Sequence, residues 1–269
     1  MSLEAASLLV LLGIAVGGVG TLVGAGGGFL LTPVLLLVYP HDSPRTVTAI
    51  SLAAVWANST SGTLAYARQR RIDLRSGVVF GIATLPGAVG GALLVRYVPR
   101  HVFDGLMAAA LAAVAVLIAV RGERPHPRES GSLRVVVDRR GREWRYRVPE
   151  ARGVLYSIAV GFASSFLGIG GGVFHVPILV TALGFPTHIA TATSHFVLSL
   201  MSGAGVITHA FEGSYRIGNG LRRSIALALG VAVGAQAGAH VSTRVQAVWI
   251  ERLLAAGLAL VAIRLAFAM

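Results

Sequence analysis

Gly24-Ala25-Gly26-Gly27-Gly28-Phe29-Leu30-Leu31-Thr32-Pro33 returns 144 residues later as Gly168-Ile169-Gly170-Gly171-Gly172-Val173-Phe174-His175-Val176-Pro177. Each copy interrupts a long apolar stretch with glycines, the poorest ordinary helix formers, and a proline, which lacks a backbone donor. Matched interruptions in two halves of an apolar chain point to a binding site built from broken membrane helices.

The surrounding composition supports a membrane setting. The 269 residues are 55% hydrophobic and 13% charged, with a mean hydropathy of +0.74. A soluble domain carries about twice that charged fraction. Apolar segments run at approximately 3–39, 46–67, 76–98, 102–120, 153–183, 188–211, 224–241 and 246–268. At roughly 20 residues per span, these predict an all-α integral membrane protein of about eight transmembrane helices. The runs are continuous rather than alternating, which disfavours a β-barrel. The segment from Leu3 to about Val23 has Glu4 in place of a basic start and no small-residue cleavage site, so it reads as a retained span rather than a signal peptide.

The halves align outside the glycine motif as well. Thr48-Ala49-Ile50-Ser51 matches Thr191-Ala192-Thr193-Ser194, Gly62 matches Gly205, and the Gly87/Gly91 pair matches Gly234/Gly238. The expected organisation is two homologous four-span repeats with broken first helices, 1–121 and 153–269, joined by 122–152. Within the joining stretch, 133–138 and 142–148 flank Arg139-Arg140-Gly141 and predict a small β-hairpin. Its simplest role is a tether, and its arginines could also contact anionic headgroups or take part in regulation.

All 23 basic residues are arginine, and ten of them fall in 121–153. Loops 68–75 and 212–223 hold four and three, whereas 40–45, 96–101, 184–188 and 242–247 hold one, two, none and one. The positive-inside rule then places the first set, both termini and the 122–152 loop on the cytoplasmic face of the cell membrane. This distribution is a topology signal, so the net charge of +12 implies no nucleic-acid partner. An even number of spans per half gives repeats of the same direction. A glycine segment that dips in and returns would change that count. With no cysteine, disulfides and thiolate metal sites are excluded, and no cofactor or metal is expected.

The candidate site follows from what a bilayer demands. Unwound backbone survives there only where protein or water covers it, and a half-helix starting after three glycines exposes N–H groups that bind anions. Close helix packing through glycine is the alternative explanation. Gly26, Gly27, Gly28, Gly170, Gly171 and Gly172 are therefore substrate-binding candidates, with Pro33 and Pro177 as helix-breaking residues. Thr32 lies in the first motif. The second span of each half is polar, and Ser51, Asn58, Ser59, Ser194 and His195 join the candidate set, although hydroxyls also serve interhelical bonding. His175 and His195 are candidates for substrate contact or proton coupling, since no carboxylate lies deep in a span and histidine titrates near neutrality. Their spacing suggests no metal site, and no acyl-transfer constellation is visible, so no enzyme is expected.

Two four-span halves that each open with Gly-x-Gly-Gly-Gly-x-x-x-x-Pro resemble the sulfite exporter TauE/SafE family of membrane permeases. The likeness covers nearly the whole chain. It implies transport of a small anion, such as sulfite or an organosulfonate, coupled to the proton gradient. The family's glycine motif falls on Gly24, Gly26, Gly27, Gly28 and Pro33, and again on Gly168, Gly170, Gly171, Gly172 and Pro177. His175 departs from the apolar first copy, where Leu31 stands. A passive anion channel, or a membrane scaffold or signalling protein acting through the hairpin, are the alternatives. The expected partners are a small anionic substrate and the lipid bilayer.

Overall fold

A computed structural model describes residues 2–120, 131–216, 219–242, 244–245, 252 and 256. Helix α1 (Leu3–Val23) starts where the Ser2 hydroxyl accepts the Ala5 N–H, and ends at Gly24, which turns left-handed at φ 84°. Gly26 and Gly27, at φ 73° and 80°, carry the chain through a turn that side chains with a Cβ rarely adopt. Helix α2 (Gly28–Val38) follows. The second motif repeats this plan. Helix α6 (Glu150–Leu167) ends at Gly168, φ 68°, and Gly170, φ 69°, leads to α7 (Gly172–Pro177) and a π-turn over Ile178–Ala182.

The expected breaks are therefore present, but the glycines alone make them. Pro33 was expected to break the helix, yet it lies inside α2, which continues to Val38. It forfeits only the bond to the Phe29 carbonyl, a local loss that the neighbouring turns survive. Pro177 likewise does not end its helix; the winding widens there into the π-turn.

The remaining helices are α3 (Pro44–Arg68), α4 (Leu74–Leu94), α5 (Arg100–Val120), α8 (Thr187–Phe211) and α9 (Gly220–Val241). Ser43 caps α3 by accepting the Thr46 N–H, with Pro44 in the first turn where its missing donor costs nothing. Strands β1 (Ser132–Val137) and β2 (Glu143–Val148) form the expected antiparallel hairpin, Ser132 facing Val148 and Val137 facing Glu143.

Among the described residues, four helices are long and apolar enough to cross a membrane: Leu3–Val23, Leu74–Tyr97, Thr187–Phe211 and Gly220–Val241. Gly28–Val38 and Gly172–Ala182 are shorter apolar helices. Leu8, Leu11, Leu229 and Val233 are each more than 60% exposed on the outside of α1 and α9. An apolar exterior over a packed interior is the pattern of a lipid-facing helix. The expected span at 246–268 lies outside the described residues, apart from 252 and 256.

Close glycine approaches fix the helix directions. Gly13 meets Leu227 and Gly230, Gly17 meets Val231, and Gly18 meets Gly234 and Gly238, so α1 and α9 run parallel. Gly87 meets Ile158 and Phe162 while Gly91 meets Phe162 and Phe166, so α4 and α6 also run parallel. Helices α3 and α8 are antiparallel, with Gly62 against His195 and Gly205 against Leu52.

After each glycine turn the chain doubles back. The N–H groups of Ala25 and Gly26 both reach the Gly20 carbonyl, and Gly27 returns beside Val16. Helix α2 then descends to the end where α1 began, where the Arg223 guanidinium of α9 lies 3.7 Å over the Tyr39 ring. In the other half, α6 starts beside the hairpin, and Leu183 and Phe185 return to pack with Tyr146 and Val148 of β2.

This reversal corrects the expected topology. The N-terminus and loop 212–223 do not share a face with the hairpin. They sit at the opposite end with loops 40–45 and 96–101, where Glu212 pairs with Arg45 and Arg96, and Asp42 pairs with Arg223. Loop 68–75 stays with the hairpin, whereas 184–188, expected on the opposite face, joins it through Phe185, which packs on Tyr146. A segment that doubles back to the end it started from reverses the direction of the chain that follows, and composition carries no record of that.

Candidate functional site

The two glycine turns meet at the midpoints of α3 and α8. A Cβ on Gly28 would collide with the Ile169 carbonyl, and one on Gly172 with the Gly24 carbonyl and the Ala25 Cα. These two contacts exchange corresponding residues of the two halves. The same exchange recurs around them. Gly168 approaches the Thr48 Cα and Gly24 the Thr191 Cα, at 2.8 and 2.9 Å from an added Cβ, while Gly170 meets Val55 and Gly26 meets Leu198. Any side chain larger than hydrogen would push the turns apart.

Polar side chains hold the turns from outside. The Thr32 hydroxyl lies 2.7 Å from the Gly168 carbonyl and 2.7 Å from the Ser51 hydroxyl. One hydroxyl has one proton, so Thr32 donates to the carbonyl and accepts from Ser51. In the other half, Ser194 donates to the Gly24 carbonyl at 3.2 Å. The hydroxyls of Ser59 and Ser202, counterparts in the two halves, stand 3.5 Å apart. Ser199, which sequence spacing places on the same face, bonds instead to the Phe196 carbonyl of its own helix. Neither Gly27 before α2 nor Gly171 before α7 is accompanied by a side-chain cap, which leaves the first N–H groups of both half-helices without that partner.

A second cluster adjoins the first turn. The Thr21 hydroxyl donates to Asn58 Oδ1 at 3.1 Å, and His195 Nε2 lies 3.2 Å from the same hydroxyl. Tyr66 donates to the Thr21 carbonyl at 2.7 Å and sets its ring edge-on to His195, with centroids 5.4 Å apart. All four residues are fully buried. Among the described residues, Asn58 Nδ2 and the hydroxyls of Ser164 and Ser165 have no partner. Ser164 stands close to Gly171, and Ser165 close to Gly205. Each unpaired buried group costs about 1–3 kcal/mol, so the centre of the bundle is suited to a polar guest.

The two candidate histidines are not brought into one contact chain. His195 belongs to the Thr21–Asn58 cluster. His175 lies one turn into α7, 3.5 Å from the Ser157 hydroxyl and edge-on to Phe80. Its counterpart Leu31 is part of the apolar core. Gln236 of α9 bonds to the Ser61 carbonyl, as a packing group does. Thr21, Tyr66, Ser157, Ser164 and Ser165 were not among the sequence candidates. A signal existed for two of them: Thr21 and Ser165 each stand three residues before the glycine motif of their half.

The hairpin is clamped to the bundle. Asp73, which caps α4 through the Ser76 N–H, also accepts from the Tyr146 hydroxyl at 2.9 Å. Arg134 lies 3.6 Å from Asp73 and pairs with Glu150. Burial, with Asp73 beside it, pushes the Tyr146 hydroxyl pKa up. The hydrogen bond from Arg134 holds the Glu150 carboxyl below its usual range.

The family model described as "Sulfite exporter TauE/SafE" matches residues 9–265. The chain is 29% identical over 247 residues to "Probable membrane transporter protein YunE" of Bacillus subtilis (strain 168), covering 89% of each chain. It is 28% identical over 207 residues to "Probable membrane transporter protein MJ0441" of Methanocaldococcus jannaschii, covering 75% of this chain and 71% of that one. A "Probable membrane transporter protein" of Xylella fastidiosa (strain Temecula1) is 31% identical over 202 residues, covering 74% and 69%. No solved structure matches.

Proposed function

The chain belongs to the sulfite exporter TauE/SafE family of membrane transporters, and from that premise we propose that it is a secondary transporter of a small sulfur oxyanion or organosulfonate, coupled to the proton gradient. The observation that carries this reading is the meeting of the two glycine turns at the midpoints of α3 and α8. There, α7 begins beside Ser164, whose hydroxyl lacks a partner among the described residues, as do Asn58 Nδ2 and the Ser165 hydroxyl in the same bundle. Helix N-termini bring partial positive charge and free donors, which suit an anion without a buried arginine. Gly27, Gly28 and Gly170–Gly172 would hold its oxygens through backbone N–H groups, while Gly26, whose N–H is spent on the Gly20 carbonyl, shapes the turn. Asn58 would donate from Nδ2, with Ser59 close by. Ser51, Thr32 and Ser194 act one layer out, fixing the turns through their carbonyls. His195 and His175 are the proton-coupling candidates.

In this reading the halves 1–121 and 153–269 are inverted repeats. Helices α1–α2 and α6–α7 enter from opposite faces and touch at a two-fold axis lying in the membrane plane. The exchanged contacts at Gly28 and Gly172 support it, and inverted repeats with broken helices at mid-depth suit alternating access. The hairpin end remains richer in arginine, with four in 68–75 and ten in 121–153, so we assign it to the cytoplasm and the N-terminus to the opposite side.

The test is flux in proteoliposomes across a panel of sulfite, sulfate, thiosulfate and ethanesulfonate, with and without a pH gradient. Saturable flux that collapses with the gradient, and is lost in Gly27→Leu and Gly171→Leu, is expected. Conductance that follows voltage alone would make the protein a channel, and wild-type flux in the glycine variants would remove the central site.

A further inference from the structure

At the hairpin end, a cavity of about 350 Å³ lies between the hairpin, the α3–α4 connection and the ends of α8 and α9. Arg71, Arg139, Arg140, Arg142 and Trp144 line it. Asp138 is the one carboxylate among its lining residues, and its Oδ1 is already taken by the backbone N–H groups of Arg140 and Arg142, at 2.8 and 2.9 Å. Arg71 is 95% buried at the base; one of its terminal nitrogens reaches Gln69 and Ser242, and its Nε has no partner among the described residues. The guanidinium groups of Arg71, Arg139 and Arg142 face one carboxylate whose Oδ1 is occupied, which leaves positive charge that an anion would neutralise, and guanidinium forks match oxyanion geometry.

The cavity also has a connection inward. The Arg71 guanidinium stands 5.8 Å from the Tyr66 ring centre. The Tyr66 hydroxyl bonds to Thr21, whose own hydroxyl meets Asn58 and His195. One buried ring therefore separates the cavity from the central cluster.

We propose that this cavity is the aqueous-side capture site for the transported oxyanion, with Arg71 as its deepest contact and Tyr66 as the barrier to the centre. The site rests on the transport reading above and gives the hairpin a role beyond tethering. Attraction at a charged vestibule raises capture far more than it changes the later steps.

The test uses Trp144 as reporter, in full-length protein with Trp56 and Trp249 replaced by Phe. Sulfate or ethanesulfonate titrated into the detergent-solubilised protein is expected to give a saturable emission change. Arg139→Gln with Arg142→Gln, both on the exposed hairpin, should weaken it about tenfold, since charge-assisted forks are the strong contacts. In proteoliposomes the same variant should raise the half-saturating concentration and leave the maximal rate unchanged. Arg139→Lys with Arg142→Lys should recover part of the affinity. A Trp144 response only to phosphatidylglycerol nanodiscs would overturn the proposal in favour of a headgroup site. So would an emission change indifferent to the arginines, or a loss of maximal rate alone. Arginine-dependent sulfate binding without flux of any anion would instead defeat the transport reading and leave an anion pocket.

Discussion

Replacing Gly28 by alanine separates the packing of the glycine turns from ordinary helix propensity. Gly28 opens α2 with ordinary helical backbone, not the left-handed form of its neighbours. In an isolated helix, Gly→Ala stabilises by roughly 0.5–1 kcal/mol. Here the new Cβ would run into the Ile169 carbonyl, and the Val55 Cγ2 stands 2.6 Å from it. A rigid carbonyl cannot rotate away as a side-chain end can, so the turns must separate. Overpacking of this kind costs about 1–3 kcal/mol, which reverses the sign of the propensity effect. Gly172→Ala meets the Gly24 carbonyl in the same way and should cost a similar amount. The double variant should cost less than the sum, because once the turns have parted the second methyl enters a relaxed interface. Thermal unfolding in detergent, followed by tryptophan emission, measures all three, and flux should fall with stability. A Gly28→Ala protein as stable as wild type, or more so, would refute the close contact of the turns.

Other substitutions probe the surrounding layers. Thr32→Val keeps the shape but leaves the Gly168 carbonyl without its 2.7 Å donor; a loss of about 1–3 kcal/mol is expected, and an unchanged unfolding midpoint would count against that bond. Thr21→Val removes the proton given to Asn58 Oδ1 and the partner of His195. It should lower flux more than Ser199→Ala, whose hydroxyl serves only its own helix, and equal flux in the two would argue against the cluster. The depressed Glu150 pKa predicts the response of the hairpin to acid. A carboxyl with a lowered folded pKa stabilises above its unfolded value, and that contribution disappears as pH falls through the folded one. Protease sensitivity of the hairpin should therefore rise in acid for wild type and already be high at neutral pH in Glu150→Gln; the same profile for both proteins would contradict the clamp.

Much of the fold was legible because bilayer physics writes it into composition. The clustered glycines that begin at Gly24 and Gly168 favour a left-handed helix end, and Ser43-Pro44 favours a helix start. The alternation in 142–148 marked the second strand of the hairpin. What the sequence withheld was direction. A three-glycine break reads alike whether the chain continues across or turns back, because only contacts such as Gly27 against Val16 distinguish the two. The candidate residues show a similar division. Ser51, Thr32 and Ser194 do gather at the glycine turns, as polar groups in an apolar span should. Their bonds to backbone carbonyls depend on where the other half lies, and local spacing does not encode that. Tyr66 was hidden for another reason: its ring fills the core as any aromatic might, and only the position of the Thr21 carbonyl gives its hydroxyl a task.

The glycine seams have a consequence for how the protein is made. Helix α1 packs closely on α9, about 215 residues later in the chain, at Gly13, Gly17 and Gly18. Helix α4 likewise finds α6 only after the hairpin has been translated. A ribosome therefore releases a first helix whose notched face has no mate until nearly the whole polypeptide is in the membrane. Non-local pairing of this kind slows assembly and leaves partly built species exposed. The notched face of α1 must meanwhile be covered by lipid or by the insertion machinery. A severed gene should give two fragments that are unstable apart and recover together, because each carries one side of both seams.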